Sequence, residues 1–318
     1  MLKYLIVQLD DTSTSFCHYT NNCKERRLID TAVLQKAVLW AMKENLIIQY
    51  IYPDYELPAE YREIINRTSH ADIVSATCAD AELVNHADVV VCDSWDILKN
   101  YPFREGQAYV IRTTLADLLA NSDTLKTVLP KLERLNVVIT DVEGFSHESE
   151  YAEFLEKISD TVAKEYVSGH NVQLNLLTDR ILLDGMNNCN AGNECITLAP
   201  DGKFYVCPAF YLDGKVGFSV GDVETGLEIK NPQLYRLDHA PICRNCDAHQ
   251  CRRCVWMNRR LTLEVNTPGR EQCVLAHLER NASRNLLSRI RESGTFLADK
   301  DIPVIEYLDP FEIVIKKK

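Results

Sequence analysis

The first 185 residues alternate between two periodicities of apolar residues. Short β-rich runs occur at Tyr4–Leu9, Leu46–Tyr52, Asp72–Ala76, Asp88–Cys92, Ala108–Arg112, Asn136–Thr140 and Val172–Leu177. Segments with helical spacing lie between these runs, and two of them carry the apolar stripes Leu34, Ala37, Val38, Ala41, Met42 and Tyr151, Phe154, Leu155, Ile158, Val162. This order predicts βα units and a mainly parallel sheet.

Two of the strand runs are apolar without alternation, at Val89–Val91 and Val137–Ile139. Uninterrupted apolar runs favour strands that are covered on both faces, as in α/β proteins. Six or seven such units form either an open doubly wound sheet or a partial barrel, and periodicity alone leaves both open.

Polar residues follow several of the predicted strands. They are Asp10 and Asp11, Asp93, Arg112, Asp141 and Asp179. Ligands of parallel α/β folds bind at the carboxyl edge of the sheet, so these side chains are candidates for a substrate or cofactor site. The alternative is that they only cap the helices that follow. No glycine-rich phosphate-binding motif accompanies them.

The helix–strand rhythm stops near Leu183–Asn190, which predicts a domain boundary. The segment that follows carries Pro200-Asp201-Gly202 between two short β runs. Asp-Gly supplies the backbone angles of a tight turn and therefore predicts a hairpin. That hairpin would bring Cys195 and Cys207 near each other at its open end.

Eight of the twelve cysteines fall between Cys189 and Cys273. They read Cys189-x5-Cys195-x11-Cys207 and then Cys243-x2-Cys246-x4-Cys251-x2-Cys254-x18-Cys273. A tetrahedral centre takes four thiolates, so eight suit two centres. The short spacing favours shared iron–sulfur ligation over a zinc ribbon, which usually separates its two knuckles by about 15–20 residues. Zinc stays as an alternative, and disulfides as a weaker one.

Composition narrows the class of protein. The chain has 318 residues, 46% hydrophobic content and a net charge of −11. These values predict a globular protein of about two domains without a nucleic-acid partner, because a polyanion requires a basic face. No run of about 18 apolar residues and no export signal occurs, so neither a membrane partner nor export is expected. The predicted location is the cytoplasm.

The cysteine set with its Gly202-x4-Cys207 hairpin resembles the SPASM domain, which carries auxiliary clusters in radical SAM peptide maturases. The resemblance covers residues 186–282. Two spacings between its closely spaced cysteines, Cys246-x4-Cys251 and Cys251-x2-Cys254, are each one residue shorter than is usual in the family. Similarity to the sequences of one subgroup, which matures CXXX-repeat peptides, extends over Leu198–Pro208, Ala240–Cys246 and Lys3–Ser13. The resemblance implies two [4Fe–4S] clusters, one on Cys189, Cys195, Cys207 and Cys254 and the other on Cys243, Cys246, Cys251 and Cys273.

The same resemblance implies three parts: a radical SAM-like partial (βα)6 barrel in residues 1–185, the cluster domain in 186–282, and a C-terminal extension in 283–318. Radical SAM enzymes carry Cys-x3-Cys-x2-Cys after the first strand, where the present chain has only Cys17 and Cys23. These two are the candidate ligands of a third, catalytic cluster, with His18 or Cys92 as a third ligand. S-Adenosylmethionine would then bind in a pocket of Asp93, Arg112, Asp141 and Asp179.

Three functions follow as hypotheses. The first is an enzyme that matures a ribosomally made, cysteine-repeat precursor peptide with the help of an electron donor protein. A separate leader-binding or partner maturase protein is a further expected partner. The second is a degenerate, non-catalytic relative that binds peptide or relays electrons for a partner maturase. The third is a zinc protein with similar spacing.

Overall fold

The computed structural model describes residues 2–186, 189–214 and 217–316. Its strands are β1 Tyr4–Gln8, β2 Ile47–Ile51, β3 His70–Ser75, β4 Val89–Cys92, β5 Ala108–Thr113, β6 Arg134–Ile139, β7 Gln173–Leu174, β8 Cys195–Leu198, β9 Lys203–Tyr205, β10 Ser219–Asp222 and β11 Gly226–Leu227. Its helices are α1 Thr31–Lys43, α2 Ala59–Ile65, α3 Ala81–His86, α4 Trp95–Asn100, α5 Leu115–Ala120, α6 Ser122–Val128, α7 Glu148–Val167, α8 Asp179–Leu182, α9 Pro208–Leu212, α10 Val255–Thr262, α11 Arg270–Arg291 and α12 Pro310–Lys316.

The first compact unit comprises residues 1–92 and 189–239. Its strands lie in the order β11-β10-β9-β8-β1-β2-β3-β4. Strands β8, β1, β2, β3 and β4 are parallel, whereas β8–β9, β9–β10 and β10–β11 are antiparallel. Helix α1 begins at Asp30, whose carboxylate accepts hydrogen bonds from the Ala32 and Val33 amides, and it buries Leu34, Ala37, Val38 and Ala41.

The second compact unit comprises residues 93–188 and 240–318. Strands β5, β6 and β7 are parallel. The long helices α7 and α11 pack against each other. The α7 stripe Tyr151, Phe154, Leu155, Ile158 and Val162 is buried as the sequence predicts. Apolar burial of this kind stabilises a fold by about 25 cal/mol per Å².

The predicted strand–helix alternation is confirmed, and the fold is mixed α/β with a parallel sheet. The run Val172–Leu177 forms a strand over only two residues, because Leu176 and Leu177 already turn into α8 while remaining buried. The expectation that Met42 completes the α1 stripe is wrong, since this side chain is 58% exposed. It lies about 100° around the helix from Ala41 and so at the edge of the stripe.

Each compact unit combines two stretches of the chain, and one crossing between the units falls at residues 188–189, close to the predicted boundary at 185–186. Residues 187 and 188 of that boundary lie outside the described residues. The division into 1–185, 186–282 and 283–318 stays a prediction. Among the residues that the structure describes, no helix has both the length and the apolar character needed to cross a bilayer.

Glu279 on α11 is enclosed by protein, and its carboxylate accepts a hydrogen bond from the Tyr151 hydroxyl at 2.8 Å. Burial raises the pKa of Glu279 to about 8 from an ordinary 4.5. A raised folded-state pKa means that the unfolded chain loses this proton first. The free energy of unfolding should therefore fall as pH rises from about 4.5 to about 8. Glu279→Gln should lose this pH-dependent part of the free energy of unfolding. Urea titrations of the wild type and the variant would therefore differ by an amount that changes with pH across that range. An unchanged difference at every pH would contradict the assignment.

Candidate metal centre

The cysteine-rich segment of the second unit folds as consecutive tight turns before a helix. Residues Cys243–Asn245 form a 3₁₀ turn, which the Cys246 amide closes by donating to the first carbonyl at 3.0 Å. The Cys251 amide closes another turn, also at 3.0 Å, on the carbonyl three residues earlier. Arg253 has a φ of 45°, a left-handed conformation that non-glycine residues rarely adopt, and it reverses the chain before Cys254 and α10. These turns fold the spaced cysteines back on one another.

Four thiols of this unit line one cavity of about 400 Å³. Cys243, Cys246 and Cys251 come from the turns, and Cys273 comes from the first turn of α11. The structure therefore brings together the second predicted ligand set. Much of the remaining lining is apolar, with Met186, Ile242, Pro268, Tyr307 and Ile313 among its residues.

Burial and mutual repulsion both disfavour ionisation of these thiols. Burial, followed by the neighbouring Cys246 charge, raises the pKa of Cys243 to about 11. Burial and the Cys243 charge raise the pKa of Cys251 to about 12, and the pKa of Cys273 also lies well above its ordinary value. The thiols thus hold their protons near neutral pH, and a metal must displace them on binding. Among the described residues, no group of three or more His, Cys, Asp or Glu side chains is placed to hold a single metal ion.

The surroundings of the cavity fit an all-thiolate cluster. The Arg253 amide points at the Cys251 sulfur from 3.4 Å, and such N–H···S contacts stabilise negative charge on cluster ligands. Gln272 lines the cavity, is 8% exposed, and has a buried side-chain oxygen without a hydrogen-bond partner among the described residues. Because the two ends of an amide are assigned only from their partners, this group is able to turn its N–H toward a ligand in the cavity. Four thiols on one cavity and an amide directed at one of the sulfurs fit the ligand set of a [4Fe–4S] cluster.

A carboxylate beside the thiols links the turns to two helices. Asp247 accepts two hydrogen bonds from Arg280, at 2.9 and 2.7 Å, and one from Arg180 at 2.9 Å. The Arg280 side chain is fully buried and that of Arg180 is 4% exposed. Burial raises the pKa of Cys246, and the charge of Asp247 adds to this, whereas the Ala248 amide and the charges of Arg280 and Arg180 act to lower it. Asp247 therefore holds two guanidinium groups beside the turn that carries Cys246.

Replacing Asp247 by Asn should destabilise the second unit by about 3 kcal/mol, because it leaves two buried guanidinium groups with no compensating charge. Urea unfolding would measure the change. Asp123, which pairs with Lys126 and is 93% exposed, offers a matched control, because exposed ion pairs contribute little. An Asp247→Asn protein as stable as Asp123→Asn would contradict this role.

The C-terminal extension closes one side of the same cavity. Nε2 of His277 lies 3.4 Å from the Cys246 sulfur, and its Nδ1 contacts the Leu308 carbonyl. The Tyr307 ring packs edge-on against His277, and Asp309 pairs with Arg270 at 3.4 Å. Sequence reasoning missed these contacts, since His277 and Tyr307 lie outside every motif.

The first unit holds Cys189, Cys195 and Cys207 of the other predicted ligand set. The predicted hairpin is confirmed, with Thr197 opposite Tyr205 and a φ of 80° at Gly202. Cys195 and Cys207 each lie two residues beyond the Thr197–Tyr205 pair, at the open end of the hairpin. Burial raises the pKa of Cys195 well above its ordinary value, and the charges of Cys189 and then Cys17 add to it. Cys17 is therefore within electrostatic range of this group.

Cys254, the fourth predicted ligand of that set, lies in the second unit directly before α10. Its assignment to the first set stays a prediction.

Hydrogen bonds tie the loop between β1 and α1 to α9, and others join residues within the loop. Asp11 and Arg27 both hydrogen-bond to the Tyr211 hydroxyl on the helix that begins after Cys207. The Asn21 amide donates to the Asp11 and Ser13 carbonyl oxygens at 2.7 and 2.9 Å. These hydrogen bonds thus fix the conformation of part of the loop.

The two cysteines of this loop have different surroundings. The charge of Cys17 is one cause of the raised pKa of Cys195, whereas the Cys23 sulfur lies 3.6 Å from the Glu25 carbonyl oxygen. Of the two suggested third ligands, Cys92 is fully buried at the end of β4, and His18 is half-buried within the loop.

The four residues of the predicted S-adenosylmethionine pocket all lie in the second unit and all have protein partners. Arg112 donates to Asp93 at 2.8 Å, and Asp141 accepts from the Leu115 amide at 2.8 Å. Asp179 accepts two hydrogen bonds from Arg134, at 3.2 and 3.0 Å. The structure therefore joins Asp93 with Arg112, gives Asp141 a capping role and gives Asp179 a buried ion pair. Their role toward a cofactor stays a prediction.

Solved structures with the same fold are found at low sequence identity. anSMEcpe, a radical SAM/SPASM anaerobic sulfatase maturase with bound AdoMet, has a TM-score of 0.63 at 13% identity, over 92% of the present chain and 100% of its own. The same protein with AdoMet and Cp18Cys peptide gives 0.61 at 13%, with the same coverage. SuiB of Streptococcus suis, bound to precursor peptide SuiA, gives 0.47 at 11%, over 86% of the present chain and 76% of its own.

No family model matches the chain, and no curated protein matches it at a significant level. At these identities the structural likeness shows the fold alone, which is the mixed α/β fold of anSMEcpe.

Proposed function

We propose that this chain is a radical SAM/SPASM-type iron–sulfur protein that modifies a ribosomally synthesised peptide with cysteine repeats. The observation that carries the proposal is the convergence of Cys243, Cys246, Cys251 and Cys273 on one cavity. The anSMEcpe structures support it, since that protein shares the fold and holds AdoMet and a peptide. The CXXX-repeat subgroup rests on the sequence resemblance.

Two [4Fe–4S] clusters are part of the proposal. The second thiol set would hold one of them, and Cys189, Cys195, Cys207 and Cys254 would hold the other. A bound cluster supplies one-electron transfer. The chain's own part is to direct the Arg253 amide at Cys251, to hold Arg180 and Arg280 near Cys246 through Asp247, and to line the cavity with apolar groups that limit water.

The catalytic part of the proposal assigns Cys17 and Cys23 to a third centre and Asp93, Arg112, Asp141 and Asp179 to S-adenosylmethionine. Its support is the position of the loop after β1, which is where radical SAM enzymes carry their catalytic cysteines. An electron donor protein would reduce the centre, and a separate leader-binding or maturase protein would present the precursor.

A specific observation favours the alternative, a non-catalytic relative that binds peptide or relays electrons. The charge of Cys17 acts on Cys195, the Cys23 sulfur contacts the Glu25 carbonyl, and Asn21 donates to the Asp11 and Ser13 carbonyl oxygens within the loop. Reducing the anaerobic protein with dithionite in the presence of S-adenosylmethionine separates the two functions. The enzyme forms 5′-deoxyadenosine, and the non-catalytic relative does not.

A further inference from the structure

The carboxyl group of Glu279 has few partners for a buried acid. The Tyr151 hydroxyl donates to one oxygen at 2.8 Å, and the Gln250 amide lies 3.5 Å from the other. The same Gln250 nitrogen donates to the Ala276 carbonyl at 2.6 Å, which fixes the orientation of the amide. Among the described residues, the ionised form thus has one short hydrogen bond, which comes from a neutral group.

The charged groups around Glu279 come from several elements. Asp179 on α8 acts to raise its pKa, and Arg252 acts weakly to lower it. Asp179 is itself paired with Arg134 at 3.0 Å. On its own helix, the neighbouring Arg280 is turned to Asp247. No full counter-ion therefore belongs to Glu279 among these contacts, and burial dominates.

Glu279 is close to the thiol cavity. Gln250 directly precedes Cys251, and its side chain contacts Ala276 and Glu279, which lie on the part of α11 that continues from Cys273. The charge of Glu279 is one of the causes that raise the pKa of Cys251. Electrostatic coupling is reciprocal, so added negative charge at the thiols makes Glu279 hold a proton more tightly.

We propose that Glu279 takes up one proton when the cluster held by Cys243, Cys246, Cys251 and Cys273 gains one electron, and releases it on reoxidation. The inference rests on the proposed function. The electron comes from a one-electron reductant of the iron–sulfur or flavin class, and the proton comes from water. One O–H bond forms on the Glu279 carboxylate as one O–H bond of a solvent hydronium ion breaks, and no bond of the protein chain is broken. Glu279 acts through charge and touches neither peptide nor S-adenosylmethionine.

The test is a redox titration of the anaerobic holoprotein between pH 6 and 10, monitored by electron paramagnetic resonance. The relevant signal is the one that Cys273→Ala removes. Its potential should be constant below about pH 8, where Glu279 is protonated in both redox states, and should fall as pH rises above that value, with a limiting slope of about 59 mV for each tenfold change in proton activity. Glu279→Gln should give a flat profile. Tyr151→Phe should move the sloping region to higher pH, because the ionised carboxylate then loses its one short donor.

Two histidine variants provide the controls. His170 pairs with Glu165 at 2.9 Å on α7 and does not line the cavity, so His170→Gln should leave the slope unchanged. A slope that persists in Glu279→Gln, or that disappears in His277→Gln instead, would overturn the proposal. An iron-loaded protein with a pH-independent potential would overturn this proposal alone, whereas a protein without iron would overturn the proposed function with it.

Discussion

Replacing Cys273 by alanine is expected to remove about four of the about eight irons that the two auxiliary ligand sets hold, because each cubane holds four irons on four thiolates. Cys273 comes from α11 and meets three thiols from the turns, so its loss leaves the second set incomplete. Iron and acid-labile sulfide analysis would measure the change. The free energy of unfolding should fall as well, since metal binding contributes folding energy in small metal-held regions.

Cys78→Ala is the matched control for this variant. Cys78 is also buried, and its sulfur contacts the Pro53 carbonyl at 3.5 Å, away from both ligand sets. It should retain all of its iron. Equal iron in the two variants would contradict the assignment of the second set.

The second large effect concerns the loop between β1 and α1. If Cys17 and Cys23 ligate a catalytic centre, then Cys17→Ala and Cys23→Ala should each reduce 5′-deoxyadenosine formation by at least a hundredfold, because an under-ligated cluster has no organised site for S-adenosylmethionine. The iron of the two auxiliary sets should remain. Product would be measured by mass spectrometry after reduction with dithionite.

The same pair of variants distinguishes the alternative function. If Cys17 belongs electrostatically and chemically with Cys189 and Cys195, then Cys17→Ala should lower auxiliary iron while Cys23→Ala should not. Wild-type protein that holds both auxiliary clusters and forms no 5′-deoxyadenosine would favour the non-catalytic relative.

Local signals in the sequence were enough to predict several strands of the first unit. The run Val89–Val91 predicted a buried strand, and Pro200-Asp201-Gly202 predicted the hairpin that pairs Thr197 with Tyr205. The strand depends on its own run of apolar residues. The hairpin depends on a turn whose backbone angles glycine supplies. The convergence of Cys243–Cys251 with Cys273 followed from the resemblance of the spacing.

The supporting groups could not be predicted, because they depend on tertiary contacts between distant segments. Asp247 meets Arg180 from 67 positions earlier and Arg280 from 33 positions later. His277 and Tyr307 contact each other across a stretch of chain that carries no motif. Met42 shows the opposite limit, since its apolar side chain extends the α1 stripe in sequence and remains exposed in the fold.

We propose that the cysteine-rich part of this chain holds two iron–sulfur clusters. Mössbauer spectroscopy of anaerobically purified, ⁵⁷Fe-labelled protein, combined with iron, sulfide and zinc analysis, would count them. We expect about eight or more irons and eight or more sulfides per chain with the signature of [4Fe–4S] clusters, and no stoichiometric zinc. Stoichiometric zinc in a colourless protein would rule the two clusters out.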